Sequence, residues 1–93
     1  MIRSFADADT ERLYRKDECP PRWRAIRAVM LRKLDMIDAA VRVEDLRAPL
    51  GNRLEKLKGD RKGRWSIRIN DQWRVVFLWD DDAPEDVEIV DYH

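Results

Sequence analysis

Cysteine and histidine occur once each in the 93 residues, as Cys19 and His93. A single cysteine excludes an internal disulfide and fits a reducing compartment; beside Pro20-Pro21 it reads as a loop residue rather than a nucleophile. With one cysteine and one histidine, a Cys–His zinc site is excluded as well. Glycine is scarce, and Gly51, Gly59 and Gly63 sit in turn-like surroundings. No phosphate-cradling glycine loop or nucleophile elbow is present. No apolar run approaches the length needed to cross a bilayer, and the first residues lack a signal-peptide core. No membrane partner is therefore expected, and a cytoplasmic location is. The acid run Asp80-Asp81-Asp82 could suggest a divalent metal, but consecutive carboxylates fit a solvated turn better. No metal or other cofactor is expected.

Net charge is also missing: 19 Lys and Arg balance 19 Asp and Glu. Alone, that balance argues against a nucleic-acid binder, but the charges are segregated. Between Asn52 and Trp79 lie eight cations, Arg53, Lys56, Lys58, Arg61, Lys62, Arg64, Arg68 and Arg74, against Glu55, Asp60 and Asp71. Residues 80–91 carry seven acids and no base. Segregation creates local fields, and a cationic β-ribbon suits a phosphate backbone.

A chain this short has room for one core, so residues 1–93 are expected to form a single domain. Met1 to Phe5 reads as an edge strand or a pinned terminus. Asp7 or Asp9 can cap a first helix running through Lys16, with Leu13 and Tyr14 facing inward. Asp17 to Pro21 breaks it. From Arg22, the spacing of Trp23, Ile26, Met30, Leu34, Ile37 and Val41 predicts a long second helix, with Arg24, Arg27, Arg32 and Lys33 largely on other faces. Val43 to Asn52 is expected to be a loop, and Leu54 to Lys58 a short strand.

Alternation then predicts two strands, Arg64 to Ile69 and Trp73 to Trp79, joined at Asn70-Asp71-Gln72. The second is apolar on most of both faces, which places it centrally in the sheet. Trp65, Trp73 and Trp79 read as core rather than as a base-stacking platform. Asp80 to Pro84 is expected as a loop and Glu85 to Tyr92 as a last strand. The class is α+β: two N-terminal helices packed on a small, mainly antiparallel sheet.

Chemistry falls on Lys58, Arg74 and the run Asp91-Tyr92-His93. RNA cleavage without a metal needs a base for the 2′-hydroxyl, an acid for the leaving 5′-oxygen and cations for the phosphorane. Lys58 and Arg74 can serve as cations, and His93 exchanges protons near neutral pH. Asp91 can orient His93, and Tyr92 can stack on a base or donate a proton. Each also has a plain reading. Lys58 can be a solvated turn charge, Arg74 a partner for a neighbouring acid or aromatic, and Tyr92-His93 a frayed end.

The run L-K-G-D-R-K-G-R-W-S-I-R-I-N-D-Q-W-R-V-V-F, the ending V-E-I-V-D-Y-H and the opening M-I-R-S-F-A-D-A-D-T-E together resemble the HigB-type toxins of the RelE superfamily. The resemblance covers essentially the whole chain. It implies a RelE-like fold and a toxin that cleaves mRNA on the ribosome by metal-independent 2′-hydroxyl attack. It also implies a HigA-type helix-turn-helix antitoxin, through which the pair would meet operator DNA. Carried over by motif, Lys58 of L-K-G-D and Arg74 of Q-W-R bind phosphate, and Asp91, Tyr92 and His93 supply acid–base and positioning groups. Arg53, Lys56, Arg61, Lys62, Arg64 and Arg68 are the expected RNA-binding cations. Some family members carry histidine in R-L-x-x-L-K-G-D where this chain has Glu55. A carboxylate there can act as a base, yet it repels phosphate, and a weak toxin is one consequence.

Two other readings stay open. The fold could occupy the ribosome or its antitoxin without cutting RNA. Alternatively, the basic strand could pair with the chain's own acidic strand, as it would if Glu85, Asp86 and Glu88 lay beside Arg68 and Arg74.

Overall fold

The computed structural model describes residues 1–61 and 63–91. Lys62, Tyr92 and His93 therefore lie outside the described residues. Helix α1 spans Ala8–Lys16, with the Asp7 carboxylate accepting the Thr10 amide at 3.0 Å. Asp9 and Glu11 occupy its first turn and Arg15 and Lys16 its last, as the helix dipole favours. Asp17 ends it in the left-handed region, φ 56°. The second helical stretch differs from the expected continuous helix. Pro21–Ile26 forms a 3₁₀ segment, and α2 proper is Arg27–Ala39.

Val41 does not extend the apolar stripe: it is 72% exposed. Helix α2 stops because Ala40 turns to extended backbone, while the Asp45 carboxylate takes the amides of Val41 and Arg42, each at 3.0 Å. Lys33 also departs from expectation. It lies on the inner side of α2 with Met30, Leu34 and Ile37, all buried. The expected loop that follows holds two short 3₁₀ turns, Val43–Arg47 and Leu50–Asn52, around a cis Ala48–Pro49 bond.

The sheet has four antiparallel strands in the order β1 (Glu55–Lys56), β2 (Arg64–Arg68), β3 (Trp73–Asp80), β4 (Ala83–Asp91). Strand β3 is interior, as its two-sided apolar pattern required. The β2–β3 hairpin closes on Asn70, whose side-chain oxygen accepts the amides of Gln72 at 2.9 Å and Trp73 at 2.8 Å, an Asx-type turn. The expected loop at Asp80 to Pro84 is much tighter. Strand β3 runs through Asp80, only Asp81 and Asp82 turn, and β4 starts at Ala83. Both turn residues have positive φ, 49° and 59°, as a two-residue hairpin of the I′ type requires, and Asp tolerates that region.

One sheet face carries Ile67, Val75, Phe77, Val87 and Ile89, and it packs with Leu13 of α1 and Met30, Leu34 and Ile37 of α2. Burying each such side chain contributes about 1.5–3 kcal/mol relative to exposure. Trp65, Trp73 and Trp79 are partly buried against this cluster, and Trp73 meets Trp23 edge-on at 6.1 Å. The outer edge of β4 is covered by the N-terminal segment. Phe5 bridges Val87 in parallel, the Ala6 amide donates to the Val87 carbonyl at 2.9 Å, and the Ile89 amide donates to Thr10 Oγ1 at 3.1 Å. The pinned terminus thus removes an edge that could otherwise pair with another chain.

Candidate RNA-binding and catalytic site

Strand alternation sends Arg74 to the face away from the helices. It is only 8% exposed, and its charge is met by oxygen on three sides. Nε donates to Ser66 Oγ at 2.9 Å, Nη2 donates to the Arg53 carbonyl at 2.7 Å, and Glu55 Oε1 lies 3.4 Å from Nη2. The register explains the grouping, since Glu55 of β1 stands opposite Ser66 of β2, which stands opposite Val76 of β3. Arg53 reaches Arg74 because it ends its 3₁₀ turn in the left-handed region, φ 45°, which swings its carbonyl toward the sheet.

Glu55 also belongs to the surface. With Lys56, Leu57, Lys58 and Arg61 it lines an open depression of about 360 Å³. Glu55 of β1 therefore links the buried guanidinium of Arg74 on β3 to the depression that the exposed Lys58 lines. Gly59, at φ 67°, begins the 3₁₀ turn that carries Arg61. Only the Glu55 side of this pair is half-exposed, and from that side an incoming phosphate can compete for the buried Arg74 guanidinium. Lys56 lies over the Trp65 ring at 5.5 Å.

The remaining cations are spread more widely. Arg68 stands directly opposite Arg74 and is paired with Asp71 at 2.5 Å. Arg64 pairs with Asp86 of β4 at 3.7 Å. Pairing of the basic ribbon with its own acidic strand is thus realised at Arg64, whereas Arg74 faces Val90 in β4 and pairs with Glu55 instead. Asp91 stands opposite Trp73, one residue out of phase with Arg74, so alternation points the two side chains to opposite faces. Asp91 accepts a bond from Gln72 Nε2 at 3.1 Å. Among the described residues, no three His, Cys, Asp or Glu side chains converge as a metal site. Tyr92, His93 and Lys62 lie outside the described residues.

Sequence reasoning missed the support beneath this site. Ser66 and Asn52 are fully buried. Asn52 accepts from Lys33 Nζ at 2.5 Å and donates through Nδ2 to the carbonyls of Leu46 and Ala48 at 3.2 and 3.3 Å. Burial pushes the Lys33 ammonium below its ordinary range, with repulsion from Arg32 and Arg68 adding to it. The available signal was spacing. Lys33 falls three residues after Met30 and four before Ile37, on the inward stripe.

A small antiparallel sheet with two N-terminal helices on one face is the RelE-like fold. Chains of two YoeB–YefM toxin–antitoxin complexes from Staphylococcus aureus share it. One superposes with TM-score 0.62 at 22% identity, over 100% of this chain and 98% of that one. The second gives 0.60 at 23%, over 100% and 95%. The family model of the RelE-like toxin HigB of type II toxin–antitoxin systems matches residues 3–93. Toxin HigB-1 of Vibrio cholerae is 42% identical over 85 residues, 87% of this chain and 86% of that protein. Endoribonuclease HigB of Proteus vulgaris is 34% identical over 61 residues, 66% of this chain and 65% of that protein. The chain belongs to the HigB-like family of RelE-like toxins of type II toxin–antitoxin systems.

Proposed function

We propose that this toxin is an endoribonuclease that cleaves mRNA on the ribosome by metal-independent attack of a 2′-hydroxyl on the adjacent phosphate. The observation that carries the reading is the Glu55–Arg74 pair at the rim of the depression holding Lys58. Glu55 takes the 2′-hydroxyl proton as the O2′–phosphorus bond forms. Arg74 and Lys58 hold the negative charge that gathers on the phosphorane. The phosphorus–O5′ bond then breaks, leaving a 2′,3′-cyclic phosphate, and the departing oxygen takes a proton from Tyr92 or His93, with His93 the donor suited to neutral pH. Asp91, on the other face of β4, is left a positioning role only. Arg53, Lys56, Arg61, Lys62, Arg64 and Arg68 steer and hold the RNA strand. The name of the Proteus relative, an endoribonuclease, supports the reaction class. The toxin–antitoxin complexes formed by the structural relatives support an antitoxin partner. That partner is a HigA-type helix-turn-helix protein that neutralises the toxin and carries it to operator DNA.

The test is end-mapping of a defined mRNA on translating ribosomes, with wild type, Lys58→Ala and His93→Ala compared with and without EDTA. Cuts within ribosome-occupied codons that resist EDTA and fall sharply in both variants are expected. Folded wild-type protein that binds ribosomes and makes no cuts would instead establish a binding module of the same fold.

A further inference from the structure

We infer that Ser66 is a positioning residue for the Arg74 guanidinium, acting with an Arg53 carbonyl that Asn52 anchors from behind. The inference rests on the nuclease reading for its catalytic consequence and on geometry alone for the network itself. An arginine side chain has four torsions to fix before its charge can sit where a phosphorane forms, and a group that must reorganise during the reaction stabilises less. Here two oxygens of the protein hold the guanidinium in place. Ser66 Oγ holds Nε at 2.9 Å, and the Arg53 carbonyl holds Nη2 at 2.7 Å. Both acceptors are uncharged, so they orient the cation without cancelling it. Glu55, by contrast, meets it as a half-exposed carboxylate that can be drawn off to other work.

The second acceptor is a backbone atom, and its position depends on the residue before it. Asn52 is fully buried at the meeting point of α2, the 3₁₀ turns and the sheet. Its side chain ties the carbonyls of Leu46 and Ala48 and receives Lys33 of α2. Burying a polar side chain is costly unless its donors and acceptor are met, and the three bonds of Asn52 meet them while fixing the backbone around it. The chain of contacts runs Lys33, Asn52, the Arg53 carbonyl, Arg74, Ser66, so the helix layer fixes an arginine that projects from the far face of the sheet.

Three variants test this, on the full chain. Ser66→Ala removes the Nε acceptor with no added bulk; Asn52→Asp keeps the acceptor for Lys33 and deletes the two amide donors; Arg74→Lys deletes Nε–H itself. The Arg74 Nε–H resonance, read by NMR, should be exchange-protected in wild type and lose protection in Ser66→Ala and Asn52→Asp at unchanged overall fold. Single-turnover cleavage should fall about 10- to 100-fold in Ser66→Ala, as expected for losing a hydrogen bond to a charged group. The Ser66→Ala/Arg74→Lys double variant should be no slower than Arg74→Lys alone, because the two changes remove one function. Losses that multiply, or an Nε–H resonance indifferent to Ser66, overturn the inference. Wild-type protein that shows the Ser66-dependent resonance but cuts no RNA retains the network and removes the nuclease reading instead.

Discussion

Glu55 shows most clearly how one side chain can be read two ways. Its charge repels an RNA backbone, yet its carboxylate sits against Arg74 and opens onto the depression that holds Lys58. If it is the base, Glu55→Gln should lower single-turnover cleavage by about 10²–10⁴-fold, the usual worth of a positioned proton acceptor. The same variant should bind a cleavage-resistant, 2′-deoxy-substituted oligonucleotide at least as tightly as wild type, since one repelling charge is gone. Retained cleavage with tighter binding would assign Glu55 to electrostatic restraint and move the base elsewhere. Arg74 itself was legible from its place in Q-W-R between two apolar neighbours. Its partners were not, because they depend on cross-strand register and on a backbone carbonyl presented by a left-handed Arg53. Neither property leaves a mark on composition or local spacing.

At the scale of elements, the strongest signals were those with a local physical cause. The Asp7 cap, the Asn70 turn and the period-two pattern of β2 and β3 each follow from interactions within a few residues. Asp7→Ala should cost about 1 kcal/mol of stability by urea unfolding, as for other N-caps. The end of α2 was misread because the apolar spacing continues to Val41 while Asp45, beyond the helix, takes the amides that stop it. The tight turn at Asp81-Asp82 was hidden for a related reason, since acids alone do not announce positive φ. Packing of α1 on α2 carries a pH signature. Burial, followed by the charges of Asp38 and Asp35 on α2, together raise the Tyr14 phenol from 10.0 to about 12. The folded state therefore holds its phenol proton more tightly than the unfolded chain. Stability from this source is whole below pH 10 and is lost as pH rises from 10 toward 12. Tyr14→Phe should flatten that alkaline decline in denaturation midpoints measured across the window. An unchanged decline would assign it to other groups.

For the whole molecule, the decisive property is that zero net charge conceals two opposed regions. The acids of residues 80–91 are partly paired at the surface, Asp86 with Arg64 and Glu85 with Arg3, while Lys56, Lys58 and Arg61 remain exposed around the depression. Binding to an RNA strand should then be driven by this cationic rim and should weaken with salt, as counterions displaced from phosphates are returned. The combined variant Lys56→Gln/Lys58→Gln/Arg61→Gln removes three exposed cations and leaves Arg74 and its support in place. At about 0.7 per phosphate contact on a single strand, the slope of log affinity against log salt should become shallower by roughly 2. Asp81→Asn/Asp82→Asn, in the β3–β4 turn and outside the lining of the depression, removes no cation and should change the slope far less than the triple variant. Equal slopes for wild type and the triple variant would mean that the strand is held elsewhere, and the depression would then lose its claim to the substrate. A shallower slope with cleavage still dependent on Glu55 would separate the groups that gather the RNA from the pair that acts on it.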